Sequence, residues 1–240
     1  MEHTNRTSAA ETLNIEYAEE KKPIGRFPLL LVNYLTSRFS LRGRVLDVMC
    51  GRGEHMAAFD AAGLEAWGTD ISPSAGSAFN RPDRLSICNL MVDNLPFADN
   101  SFDVIFCKSA VEHVNPDHLF SEFSRVLRPG GKLIALTPDW YYTYRYYYID
   151  HTHGYGVPFT KNSMDGILRA WGLADVVAEN IYYLPSTWGS SILTVAARIA
   201  CALVRSLPYP YDFFANRNDN FSKFVRFANE IQVLGFGVKG

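Results

Sequence analysis

The chain has only four cysteines in 240 residues, Cys50, Cys88, Cys107 and Cys201, and no two of them make a C-x-x-C pair. That excludes a zinc-ribbon or thioredoxin-like framework. Three of the four lie in or just after buried-strand patterns, so they are expected to be reduced core residues of a cytoplasmic protein. A basic surplus is also missing: the net charge is −2 and the sequence pI about 6.3. This argues against the counterion-releasing surface of a nucleic-acid binder and for a small-molecule substrate. The N-terminus lacks the basic start, apolar centre and cleavage site of a secretory signal, so the protein is expected to stay inside the cell. No apolar run makes a convincing membrane span, because the nearest, residues 191–207, is short and carries Arg198 and Arg205. Internal repeats, low-complexity tracts and long linkers are absent as well, and 48% hydrophobic residues suffice for one well-buried domain.

Two further absences narrow the ligand. The chain centres on residues 44–53, RVLDVMCGRG, where Val45, Leu46 and Val48 lead into Cys50-Gly51-Arg52-Gly53 and then a helical pattern. That order is strand, tight turn, helix. The glycines let backbone approach a ligand, and the helix aims free N–H groups at the same place. A dinucleotide fingerprint G-x-G-x-x-G fails because Met56 stands where the third glycine belongs. A phosphate loop fails because the turn continues Gly-Glu-His instead of Gly-Lys-Ser/Thr. Two acids are present instead. Asp47 precedes the glycines, placed either to bind the turn's own N–H groups or to face a cationic ligand. Asp70 closes a second strand, Glu65 to Thr69, and is placed like the acid that accepts hydrogen bonds from a ribose diol.

The stretch L-D-V-M-C-G-R-G-E-H resembles motif I of the class I S-adenosylmethionine-dependent methyltransferases, in particular the methyltransferase type 11 group. Residues 95–103 (LPFADNSFD), 109–114 (SAVEHV) and 127–131 (LRPGG) are similar to further segments of that family, in the same order. The likeness covers roughly residues 40–184 well and the last strand loosely. It implies an α/β fold: a Rossmann-like, seven-stranded, mostly parallel doubly wound sheet with an antiparallel final hairpin, plus a helical insertion before the last strand. The alternating strand and helix patterns agree with such a sheet. The expected organisation is a single domain over 1–240, with a leader segment (1–40), a cofactor-binding core (41–184), the insertion (185–229) and the last strand (230–240).

The resemblance implies S-adenosylmethionine as cofactor, held by Asp47, Met49, Cys50, Gly51, Gly53, Asp70, Ile71, Asn89, Leu90 and Ser109. Two of these depart from the family. Met49 replaces a residue that is usually glycine, and either fills space against the sheet or points at the ligand. Asn89 replaces an aspartate that accepts from the adenine amino group; it keeps a carbonyl acceptor, or else it caps a turn.

The acceptor side is less family-like. Residues 140–148 hold six tyrosines and one tryptophan, which suit a substrate wall or a packing or oligomer contact. His153, or failing that His113, is the candidate general base for a hydroxyl acceptor. His151 and His153 lack a recognised metal-ligand spacing, so no metal is expected. The stretch 185–228 is read as a cover over the site, a homodimer contact or a membrane-surface helix. The expected activity is methyl transfer to a small-molecule or sugar-type acceptor, on oxygen. The alternative, motivated by Met49 and Asn89, is a non-catalytic binding or partner protein on the same scaffold.

Overall fold

The computed structural model describes residues 25–143, 156–206 and 219–240. Its first helix, α1 (Arg26–Phe39), carries Pro28 in the first turn, where a missing N–H costs nothing, and buries Leu31, Val32 and Leu35 at helical spacing. Next come β1 (Arg44–Val48), α2 (Glu54–Ala61), β2 (Glu65–Asp70), β3 (Leu85–Ile87), β4 (Phe102–Lys108), α3 (Pro116–Val126) and β5 (Leu127–Pro138). A short helix α4 (Trp140–Thr143), then α5 (Lys161–Ala170) and β6 (Leu173–Tyr182), complete the core. The insertion contributes α6 (Ile192–Ser206) and α7 (Asn220–Asn229), and β7 (Ile231–Lys239) closes the chain.

The seven strands stand in the order β3-β2-β1-β4-β5-β7-β6. All pairs from β3 to β5 are parallel, whereas β7 runs antiparallel between β5 and β6. The expected sheet and its final antiparallel hairpin are therefore both present. Side chains alternate across the sheet as the pleat requires. Val45, Val104 and Phe106 face an apolar layer with α1 and α2, while Leu46, Val48, Ile105 and Cys107 face a second layer with α3 and α5. Because Asp47 and Lys108 share the parity of Val45 and Phe106, both belong to the α1/α2 side.

One boundary differs from expectation. Residues 117–128 read from the sequence as an amphipathic helix stopped by Pro129-Gly130-Gly131, but α3 ends at Val126 and those three residues lie inside β5. The pairing of β4 with β5 slips between Phe102 and Val104, and Gly130 is left-handed with φ 73°. A bulge tolerates a residue without N–H. Lys239 at the end of β7 secures it, donating to the carbonyls of Ser124 and Leu127 at 2.7 Å each.

The helix α5 begins at a capping box: Thr160 Oγ1 accepts from Ser163 N–H at 3.3 Å, and Ser163 Oγ accepts from Thr160 N–H at 2.9 Å. In the insertion, α6 packs on α7 and on the turn Pro185–Thr187. No helix among the described residues is long and apolar enough to cross a membrane.

Candidate functional site

The turn after β1 is built from left-handed backbone: Met49 has φ 58°, Gly51 53° and Gly53 78°. An L-residue in this region costs roughly 1–2 kcal/mol, so position 49 suits glycine, the residue usual there in the family that the sequence resembles. The Met49 side chain is half-buried and packs against the layer under α3 and α5, consistent with the space-filling reading. Asp70 organises the turn. Its Oδ2 accepts from Gly51 N–H at 2.8 Å and its Oδ1 from Ser72 N–H at 3.0 Å. Cys50 N–H donates to the Thr69 carbonyl at 2.9 Å, and Gly76 N–H to the Gly51 carbonyl at 2.8 Å, tying the turn to β2 and the segment behind it. A Cβ on Gly53 would meet Phe79 Cβ at 2.9 Å.

Met56 fits without the dinucleotide glycine because the facing strand supplies one. A Cβ on Gly68 of β2 would stand 2.4 Å from Met56 Sδ, and Met56 is fully buried there. The close helix-to-sheet contact is kept, with the glycine on the opposite partner.

Asp47 is 3% exposed and its Oδ2 has no hydrogen-bond partner among the described residues. The two roles open to it in the sequence thus separate: Asp70 holds the N–H of Gly51, and Asp47 Oδ2 stays free. Burial pushes the Asp47 carboxyl well above the usual carboxylate range, Asp70 pushes it further, and Lys108 opposes both. The Asp70 carboxyl is also raised by burial, against the backbone N–H groups it accepts.

The carboxyl edge of β4 brings Lys108 beside these acids. Its Nζ lies 5.9 Å from the Phe27 ring and 5.4 Å from the Tyr183 ring, and donates to Ser109 Oγ at 3.2 Å. Burial lowers its pKa, with Glu112, Asp47, Glu230 and Glu54 resisting. Ser109 is left-handed at φ 53° and donates its N–H to the Leu136 carbonyl at 2.7 Å. Glu112, 3% exposed, accepts the Thr137 hydroxyl at 2.8 Å, and His113 Nε2 sits 3.9 Å from its other carboxylate oxygen. Asp139, 1% exposed, accepts from Tyr141 N–H at 2.8 Å and from the Asn180 amide. Asp47, Asp70, Glu112 and Asp139 thus put four buried acids on one sheet edge, an electrostatic environment suited to a cation.

Asn89 is engaged locally: its Oδ1 accepts from Met91 N–H at 3.2 Å, which is the turn-capping arrangement. Leu90 is in the core at 4% exposure, and Ile71 is half-buried beside Asp70. All four cysteines are free and buried, as expected. His153 and His151 lie outside the described residues, as does most of the tyrosine-rich segment. Its described start, Tyr141 and Tyr142, forms an edge-to-face pair at 5.0 Å. No metal-binding group of His, Cys, Asp and Glu occurs among the described residues.

Sequence reasoning passed over His55 and the Phe27–Tyr183 pair around Lys108. The His55 ring lies 5.2 Å from that of Phe106, and burial with the Lys108 charge lowers its pKa to about 3. The strand parity shared by Asp47 and Lys108 was the one available signal. A separate cavity of about 500 Å³ lies at the β6 edge, lined by Tyr34, Arg38, Asn180 and Trp188, and includes none of the acids around the turn.

Residues 46–135 match the family described as methyltransferase domain. Over 162 residues, 60% of the chain and 48% of the relative, the sequence is 26% identical to sterol 4-C-methyltransferase strm-1 of Caenorhabditis elegans. Over 95 residues, 38% of the chain and 40% of the relative, it is 38% identical to demethylmenaquinone methyltransferase of Renibacterium salmoninarum. The chain spans less than half the length of these curated relatives. Among solved structures, the complex between the Haloferax volcanii Trm112 methyltransferase activator and the putative methyltransferase contains a chain that superposes with a TM-score of 0.66 at 19% identity, covering 96% of this chain and 97% of that one. Residues 46–135 thus carry the match to a methyltransferase domain, and the superposition shows the same Rossmann-like fold.

Proposed function

We propose that the protein transfers the methyl group of S-adenosylmethionine to a small-molecule acceptor. The observation that carries this reading is the free Oδ2 of Asp47, buried beside the left-handed Gly51–Gly53 turn. A buried carboxylate without a donor is costly, and a cationic ligand relieves it. When bound, the cofactor supplies a methyl group on a positively charged sulfur, so alignment dominates over acid–base work. The chain's own part is to hold and to exclude. Gly51 and Gly53 present backbone without a Cβ, and Asp70 fixes the turn and has further lone pairs for ribose hydroxyls. Asp47 faces the positive charge. Asn89, Leu90, Ile71, Cys50 and Ser109 line the remaining approach, with Met49 as filler.

For the acceptor, we favour the oxygen of a sugar-type or related metabolite. The tyrosine-rich chain leaving β5 offers flat apolar area with hydroxyls, and His113, held near buried Glu112, is the described candidate base. His153 keeps the same candidacy from its place in the sequence. Incubation with methyl-deuterated cofactor and a panel of hydroxyl, amine and carbon acceptors tests the assignment, with product position read by mass spectrometry. A label on oxygen is expected, and His113→Ala should lower turnover about 10²–10⁴-fold with cofactor affinity unchanged. A label on carbon or nitrogen overturns the oxygen reading alone. No transfer despite cofactor binding supports the non-catalytic alternative, and no binding overturns the proposal.

A further inference from the structure

The insertion helix α6 is built inside out. Its apolar side chains face solvent: Ile192 is 84% exposed, Leu193 77%, Leu203 63%, and Ile199 and Val195 follow. Its inner side carries polar contacts as well as the buried Cys201, and Arg198, itself exposed, reaches back along it. Arg198 Nε donates to the Thr187 carbonyl at 2.8 Å, Arg205 Nη2 donates to the Tyr182 hydroxyl at 2.9 Å, and Thr194 is buried against Ser191. A surface helix normally reverses this arrangement, with apolar residues toward the core. Among the described residues nothing covers that outward face.

We propose that this face docks on the surface of a lipid bilayer bearing anionic headgroups. Area and charge select that occupant. A helix of 15 residues is about 22 Å long, so one face of it alone falls short of the ~800 Å² per partner of a standard protein interface. A standard dimer interface would have to extend beyond this helix, whereas a helix lying in a headgroup layer buries only one side of a single element. No aspartate or glutamate occurs in residues 180–211, while Arg198 and Arg205 do, so nothing in that stretch repels an anionic surface. The helix is too short to cross, consistent with lying on the surface. Through Arg205, which also stacks over the Tyr142 ring at 5.2 Å, α6 is fastened to Tyr182 at the end of β6 and to the chain leaving β5. Docking would thus couple the bilayer to the ligand-bearing edge. The inference stands apart from the assignment of the acceptor atom.

The test is co-sedimentation of the full chain with vesicles of phosphatidylcholine and phosphatidylglycerol, for wild type and the double variant Ile199→Glu/Leu203→Glu. Light scattering and thermal melting run alongside. Wild type should pellet with the vesicles, and the variant should lose at least about tenfold in apparent partitioning while melting no lower, since both side chains are exposed. The milder pair Ile192→Gln/Leu203→Gln should fall between them, and it serves as the readout if the charged pair misfolds. Wild type remaining in the supernatant overturns the proposal. So does a wild-type dimer that the charged variant dissociates without any vesicle binding.

Discussion

Replacing Asp47 by Asn should make the ligand-free protein more stable and the cofactor complex weaker. The side chain keeps its shape and loses its charge. In the wild type that charge is 3% exposed, has an oxygen without a donor and stands near Asp70, with Lys108 as the opposing cation. An unsatisfied buried group costs about 1–3 kcal/mol, more when charged, so the gain should be at least about 1 kcal/mol. In a chain of this size that is about 2–4 °C in Tm. The sign with pH follows from the raised carboxyl. A group that binds its proton more tightly in the folded state contributes most stability at low pH and loses it as pH rises from the ordinary carboxylate range through its raised pKa. The Asn variant should lack that decline, so its advantage should widen toward neutral pH. A charge-assisted contact to the bound cation is worth about 1.5–3 kcal/mol, which predicts roughly 10- to 150-fold weaker S-adenosylmethionine binding. Melting curves across pH and calorimetric titration measure the two effects. A variant that melts lower, or binds as tightly as wild type, would refute the reasoning.

Gly68→Ala should cost about 1–3 kcal/mol, because its Cβ would fall 2.4 Å from Met56 Sδ; combining it with Met56→Val should be less than additive in denaturant unfolding. His55, neutral in the fold with a pKa lowered to about 3, should cost stability as pH drops below about 6.5, where the unfolded histidine takes a proton and the folded one does not. The slope is at most about 1.4 kcal/mol per pH unit, and His55→Phe should flatten it in acid-side melting curves.

The central strands and the turn were legible because local pattern and tertiary role coincide there. Val45, Leu46 and Val48 read as a buried strand, Gly51 and Gly53 as a tight turn, and both are so placed. The bulge at Pro129–Gly131 was misread because its cause is distant: Lys239, more than a hundred residues away, bonds the carbonyls around it. The sequence pattern of residues 176–184 reads as the sixth strand, and its actual start at Leu173 has a similar origin, an irregular register with β7 between Ala174 and Val177. At the site, spacing located both acids but not the division of labour between them. That depends on which carboxylate the turn's N–H groups reach in three dimensions. The role of Asn89 was left open for the same reason, and its hydrogen bond to Met91 N–H is visible only in the folded turn.

The central claim, that the turn and its acids form a nucleoside-cofactor site, is tested most directly by titrating S-adenosylhomocysteine into wild type and Asp70→Ala by calorimetry. The account predicts one saturable site in the wild type and binding more than about tenfold weaker in the variant, since the Gly51 and Ser72 N–H groups lose their acceptor together with the ribose contact. Folded wild-type protein that gives no heat at millimolar ligand, or an Asp70→Ala variant that binds equally well, would contradict it.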